Sequence, residues 1–474
     1  MSTPTSAPKN ISKLISLIRQ SIKGEEMDFT EGSIRRAVIL LAIPMMLEMA
    51  MESVFALVDL YFVGHLHNSS HAIQTVGLTE SVLTIIYSLA IGMSMAATAV
   101  VARRVGEKDP VAAAKAGMQA ILVAVVVNLV ISLAGFIYAR DILLLMGAST
   151  ETAEQGSTFT RIMMGSSTII VLLFLINGIF RGAGNAAIAM KSLWIANIAN
   201  IILCPILING WGPVPAYGLT GAAIATCIGR GLGVAYQIYH LSTGKGILKI
   251  RWNYFIPELV QIKALLKIAT PGIFQFVIAS CSWIFLAQLV ASTGSDHGSA
   301  GYQTALRLMM FFMLPAWGMS NAAATLVGQN LGAKKLDRAE QSVLKTMKYV
   351  VIYMGTVMLI TFALSHYFIS FFTDDLQIRD VAQQALRIMS IGYILYGIGM
   401  VLMSTFNGAG DTWTPTWVNF FGFWMFQIPL AYFLARYMEF GPTGVFIAIP
   451  TAETGIAIAA YFLFKRGKWK SIKV

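Results

Sequence analysis

An all-α integral membrane protein, with twelve transmembrane helices in two pseudo-symmetric six-helix lobes, is the fold class this sequence predicts. Three observations predict it. Of 474 residues, 56% are hydrophobic and only 12% charged, and the mean hydropathy of +0.68 is far above what a water-soluble globule carries. Twelve stretches are long and apolar enough to cross a bilayer. The chain also repeats itself at a shift of about 226 residues: Gly92-Met93-Ser94 returns as Gly318-Met319-Ser320, Gly106 as Gly332, and Gly182-Ala183-Gly184 as Gly408-Ala409-Gly410. Pro44 returns as Pro271 at a shift of 227, and Gly218 to Gly221 as Gly441 to Gly444 at 223. Each unit holds an even number of spans, so the halves enter the membrane from one side as parallel repeats about an axis along its normal.

In chain order, residues 1–33 form an N-terminal segment in which Ile11, Leu14, Ile15, Ile18 and Ile22 share one helical face while Lys13, Arg19 and Lys23 lie elsewhere. That pattern predicts an amphipathic helix on the inner leaflet. Residues 1–30 are polar, contain Ser and Lys, lack the pattern of a cleaved secretory leader, and are expected to remain cytoplasmic. The first lobe, 34–241, holds spans at 35–63, 73–102, 111–139, 157–180, 189–209 and 219–241. A polar cytoplasmic linker follows at 242–262. The second lobe, 263–464, holds spans at 263–292, 299–328, 345–371, 383–406, 416–437 and 442–464, and a basic tail occupies 465–474.

Orientation follows from Lys and Arg. With both termini inside, 27 of the 34 fall in the tails and the loops on that side, against five opposite, Arg140, Arg161, Arg379, Arg387 and Arg436, and two within spans. Positive residues collect on the cytoplasmic side of a membrane protein, so the expected location is a bacterial-type cytoplasmic (inner) membrane. The same bias accounts for the net charge of +11 without nucleic acid.

No energy-coupling or catalytic motif stands out. Gly244-Lys245 lacks both the upstream glycine and the hydroxyl residue of a phosphate-binding loop, and Gly182 to Gly184 reads as a short cytoplasmic turn. His65, His67 and His71 cluster in an outward loop and read as solvated surface. Cys204, Cys227 and Cys281 sit in apolar stretches without metal-ligand or redox spacing. The sequence therefore predicts no cofactor, no metal and no enzyme, and favours a transporter driven by an ion gradient.

The first span carries what needs explaining. Glu48, Glu52 and Asp59 lie within it, and at about 100° per residue they share one face in a ladder about 16 Å long. A charge near the bilayer centre costs at least about 2.5 kcal/mol, so such acids face a protein interior or a wet cavity. The reading is that this face lines a water-filled cavity and exchanges protons or cations. At a shift of 227 the three positions become Gln275, Ala279 and Leu286, so the acidity belongs to one lobe. Asn177, Asn197, Asn200 and Thr226 are the polar groups of the same lobe placed to meet it. Two further sites read as structural ion pairs: Glu80 with Arg230 in the first lobe and Arg307 with Glu453 in the second, a pseudo-symmetric swap in which Arg230 and Glu453 are equivalent at a shift of 223. The 25 Met residues read mainly as membrane core.

Taken with Ala42-Ile43-Pro44, Val58-Asp59, Phe62-Val63-Gly64, Arg181-Gly182-Ala183-Gly184, Asn407-Gly408-Ala409-Gly410-Asp411-Thr412 and the run from Gly218 to Ala225, the chain resembles the multidrug and toxic compound extrusion (MATE) family over nearly its whole length. The resemblance implies a V-shaped outward cavity between two lobes and export of amphipathic, often cationic compounds in exchange for protons or sodium. It also implies that Asp59 is the first-helix acid, that Pro44 is the proline against which that helix bends, and that Asn177, Asn200 and Thr226 are its polar companions. Where many members have Asp before the fifth-helix proline, this chain has Cys204 before Pro205. A thiol is a poor sodium ligand, so protons are the expected coupling ion and sodium at Asp59, Asn200 and Thr226 the weaker alternative. Acids of the seventh and tenth helices in another branch are absent, Ala279 and Tyr396 lying near those positions, which leaves the first lobe as the expected coupling site.

The leading expectation is a monomeric, rocker-switch antiporter that exports organic cations and has membrane lipids around it. Alternatives are a lipid-linked glycan flippase of the same architecture, whose anionic cargo calls for a basic cavity, and an intramembrane enzyme, for which no catalytic dyad is visible.

Overall fold

A computed structural model describes residues 7–24, 29–64, 69–243, 246, 248, 249, 251–373 and 375–474. The first lobe consists of α2 (Ile34–Gly64), α3 (Ser69–Gly106), α4 (Pro110–Ile137), the short α5 (Ala139–Leu145), α6 (Thr150–Gly165), α7 (Ser167–Gly182), α8 (Ala186–Asn209) and α9 (Gly218–Ser242), preceded by α1 (Ala7–Lys23). The second holds α10 (Leu259–Thr293), α11 (Asp296–Gly332), α12 (Leu336–Ser370), α13 (Leu376–Ser390), α14 (Tyr393–Ala409), α15 (Trp413–Tyr437) and α16 (Pro442–Lys465). Among the described residues the one extended pairing is an isolated bridge between Trp211 and Val214.

Eleven of these segments are long and apolar enough to cross a membrane, and α13 with α14 makes a twelfth bent by 56°. The bend lies at Ile391 and Gly392, with no proline in either helix. Its cause is a neighbour: a Cβ on Gly392 would stand 2.6 Å from that of Pro450 on α16, so the break lets the tenth span pass a proline of the twelfth. The fourth span is longer than its apolar core, because Ser149 caps α6 by accepting from the Thr152 N–H at 3.2 Å and an amphipathic first half carries the helix outward. Pro429, which cannot donate to the helical ladder, lies between two π-helical stretches of α15, Phe420–Gln427 and Phe433–Tyr437.

The repeat is visible as pseudo-symmetric contacts across the lobes. A Cβ on Gly318 of α11 would lie 2.2 Å from the Met45 carbonyl oxygen of α2, and one on its equivalent Gly92 of α3 would lie 2.6 Å from the Ile273 nitrogen of α10. Only glycine permits so close a helix crossing. Both contacts fall one or two residues after the repeated prolines Pro44 and Pro271, and beyond them the helices change partner. Val38, Leu41 and Met45 of α2 pack into the second lobe's core, while Leu265, Ile268 and Ala269 of α10 pack into the first lobe's. The repeated turns share a backbone need as well, Gly184 and Gly410 both having φ of +86°, a conformation open to glycine at little cost.

The described end segments of the chain, before α2 and after α16, lie on one side and cross between lobes there. Arg338 of α12 donates to the carbonyls of Phe29, Glu31 and Gly32, and Lys335 to that of Thr30 at 3.0 Å. In the opposite sense the C-terminal segment leaves α16, stacks Trp469 on Phe464 and brings the Ile472 carbonyl to Arg103 of α3 at 2.5 Å.

Candidate functional site

Two carboxylates of α2 sit one turn apart, each held by an arginine and an amide of the same lobe. Glu48 is fully buried; its Oε1 accepts from Asn177 Nδ2 at 3.0 Å and from Arg181 Nη1 at 3.3 Å. Asn177 and Arg181 lie one turn apart on α7, which is why both reach one carboxylate. The second arm of Arg181 donates to Ser94 of α3 at 3.0 Å, while the Asn177 carbonyl accepts from Ser192 at 2.8 Å and Gln237 at 2.6 Å. Glu52 accepts from Arg230 at 2.8 Å and Asn197 at 2.9 Å. The Arg230 guanidinium also lies over the rings of Phe55 and Phe174, 5.2 and 5.8 Å from their centroids, an arrangement that offsets part of its desolvation.

Of the residues singled out in the sequence, Glu48 meets Asn177 and Glu52 meets Asn197. Asn200 donates to Thr226 at 2.9 Å, so those two also come together. Asp59 belongs to α2, but its side chain lies outside the described ones, as do His65 and His67. His71 bonds Thr152 at 2.8 Å. Cys204, beside Pro205 within α8, is completely buried.

Three expectations are corrected. The face carrying Glu48 and Glu52 does not open onto the main cavity: Glu48 has no exposure and Glu52 keeps 19% of its side-chain area, because two arginines close over them. Arg230 pairs with Glu52, while Glu80 is exposed on α3, so the expected Glu80–Arg230 pair gives way to one with α2. In the second lobe Arg307 lies on the exposed face of α11 while Glu453 is buried, and the two do not pair. The shared cause is burial: the shift arithmetic placed each arginine in the correct half without showing which way its helix turns. Sequence reasoning also missed Arg181, Ser192 and Gln237. Arg181 follows Asn177 at the helical spacing of four, a signal obscured by counting it as a loop charge.

Between the lobes lies a cavity of about 350 Å³. Most of its wall belongs to the second lobe, with Trp283, Trp317, Phe423 and Tyr396 beside several methionines, while the first lobe contributes Met49, Ser94, Phe174 and Arg181. Among the described residues two charged side chains reach this wall, Arg181 and Glu453. A volume of this size suits a drug-sized ligand, and a Met-rich, aromatic lining adapts to ligands of varied shape. Arg181 thus belongs to two structures at once, the buried acid network and the cavity surface.

The family model described as MatE matches this chain twice, over residues 44–206 and 271–433. The chain belongs to the MatE family. The two matches stand 227 residues apart, which is the shift relating Pro44 to Pro271, so the duplication read from the glycines and prolines is that of the family's own repeat. Among curated relatives, this MatE protein is 23% identical over 448 residues to the probable multidrug resistance protein YoeA of Bacillus subtilis, covering 94% of this chain and 96% of that one. It is 24% identical to the multidrug export protein MepA of Staphylococcus haemolyticus, covering 92% and 94%. Among solved structures it superposes with a TM-score of 0.88 and 25% identity, over 94% of this chain and 98% of the other, on the outward-facing conformation of a multidrug resistance MATE family transporter. It is a multi-pass membrane transporter of this family.

Proposed function

We propose that this MatE protein is a secondary antiporter exporting amphipathic organic cations in exchange for protons. The observation that carries the reading is Arg181, which is bound to Glu48 on one side and exposed to the cavity on the other. While Glu48 is ionised it neutralises Arg181, and a cation can occupy the cavity. A proton taken up by Glu48 leaves the guanidinium uncompensated at the cavity wall. Repulsion between unit charges about 8 Å apart at an effective dielectric of 20 is roughly 2 kcal/mol, enough to weaken a bound cation about 30-fold. Glu52 and Arg230 form a parallel pair one turn along α2, and Pro44 supplies the place where that helix flexes as the lobes rock. The names of the YoeA and MepA relatives, both multidrug proteins, support drug-like cargo. Both termini are assigned to the cytoplasmic side by the distribution of Lys and Arg.

Purified protein in liposomes, given ethidium and separately imposed proton and sodium gradients, tests the reading. Ethidium is expected to move against an opposing proton gradient at least fivefold faster than without a gradient, with sodium alone giving the basal rate. Glu48→Gln, which fixes the neutral state, is expected to lose the stimulation. Stimulation by sodium alone would transfer the coupling to that ion, and no stimulation by either would end the antiport reading.

A further inference from the structure

Glu453 is the other charged group on the cavity wall, and the exchange through Glu48 does not use it. It lies on α16 one turn beyond Pro450 and is 5% exposed. Its carboxylate makes no hydrogen bond and no ion pair among the described residues, and its buried Oε1 has no partner among them. The repeat explains how this arose. Glu48 and Arg181 of the first lobe correspond to Gln275 and Asn407 of the second, at shifts of 227 and 226; Glu52 and Arg230 correspond to Ala279 and Glu453, at 227 and 223. In the first lobe these four positions form two compensated ion pairs. In the second they leave two neutral amides and one carboxylate with no counter-charge. Gln275 and Asn407 are each 6% exposed, both line the cavity, and their amide oxygens are unpaired too.

A buried carboxylate is stable only when something neutralises it, since an isolated ion in a low-dielectric site costs several kcal/mol. Among the described residues no cation pairs with it, and Arg181 on the same cavity wall is already bound to Glu48, so a proton or a ligand must neutralise it. The wall beside Glu453 carries the rings of Trp283, Tyr396 and Phe423, whose faces attract organic cations. The amides of Gln275 and Asn407 can each turn a carbonyl oxygen toward an N–H donor. We propose that Glu453, with Gln275, Asn407 and these rings, is a binding site in the second lobe for aromatic ammonium or amidinium ions, Glu453 supplying the counter-charge. The site deepens the export reading by naming the cargo's chemistry and the residue that selects it.

Binding to purified protein in detergent, followed by ethidium fluorescence polarisation, needs no gradient, so its outcome is separate from that of the transport assay. Glu453→Gln is expected to raise the ethidium Kd at least tenfold while leaving the Kd for N-phenyl-1-naphthylamine, an uncharged aromatic amine, within twofold; an ethidium Kd changed by less than threefold overturns the proposal, as does equal weakening of both dyes. Should Glu453→Gln not fold, the wild type decides. Dicyclohexylcarbodiimide, which modifies carboxyls in apolar surroundings, is expected to label Glu453 by peptide mass spectrometry, and saturating ethidium to reduce that labelling at least twofold. Labelling unchanged by ethidium overturns the site.

Discussion

Arg230→Leu is expected to lower the stability of the folded protein by about 3–5 kcal/mol, because it strands Glu52 as an uncompensated charge within the first lobe. Arg230 keeps 3% of its side-chain area and donates to Glu52 at 2.8 Å, so little solvent is available to replace it. Loss of its contacts with Phe55 and Phe174 adds to the deficit. Thermal unfolding in detergent micelles gives the measurement, and Glu52→Gln in the same chain provides the control. If the cost is that of a stranded charge, the double variant recovers most of the lost stability, since a neutral amide still accepts from Asn197. If the two losses simply add, Glu52 and Arg230 are energetically independent and the paired network of the first lobe is wrong. Single-variant melting at the wild-type temperature would have the same meaning.

The spans were legible because a bilayer imposes one physical test, a continuous apolar stretch of sufficient length, and twelve segments pass it. What escaped belongs to contacts between segments. The 56° break in the tenth span has no local signal; its cause is Pro450, more than fifty residues later in the chain. The amphipathic start of α6 failed the apolarity test while satisfying a capping one at Ser149. At the site, the spacing of Glu48 and Glu52 gives a shared face, and Asn177 and Asn197 lie among the groups that touch it. Taken alone that face looks wet, because the arginines that cover it come from other helices: Arg181 stands at a span end, where it looks like a loop charge, and Arg230 stands where the repeat points to Glu80. Glu453 looks like half of an ion pair with Arg307 for the same reason. A pairing argument needs to know the direction in which each side chain leaves its helix, and a single apolar helix hydrophobic nearly all round conceals that. The second lobe lacks acids near Ala279 and Tyr396, where the resemblance puts those of another branch, while its carboxylate Glu453 stands on the twelfth span.

Gly332→Val is expected to slow export at least tenfold by opening the side of the molecule on which α3 and α11 end. A Cβ on Gly332 of α11 would lie 2.1 Å from the Arg103 carbonyl oxygen of α3, and one on its repeat equivalent Gly106 would lie 2.0 Å from that of Gln329. Both obstacles are backbone, which cannot rotate aside, so the overlap is relieved only when α3 and α11 move apart. Overpacking of this kind costs about 1–3 kcal/mol, a shift of roughly 5- to 150-fold between the closed arrangement and one in which the helices have separated. The stability of each lobe is untouched, since the contact joins lobes that the transport cycle itself must part. Spin labels at Val111→Cys and Leu336→Cys, exposed sites near the starts of α4 and α12, should report a longer distance in Gly332→Val than in the parent. Gly231→Ala, where nothing lies within 4 Å of the added carbon, should leave distance and export unchanged. An unaltered distance in Gly332→Val would mean that the α3–α11 seam yields by local adjustment, and that closure on this side depends instead on the chain ends that cross it, through Arg338 at Phe29 and Arg103 at Ile472.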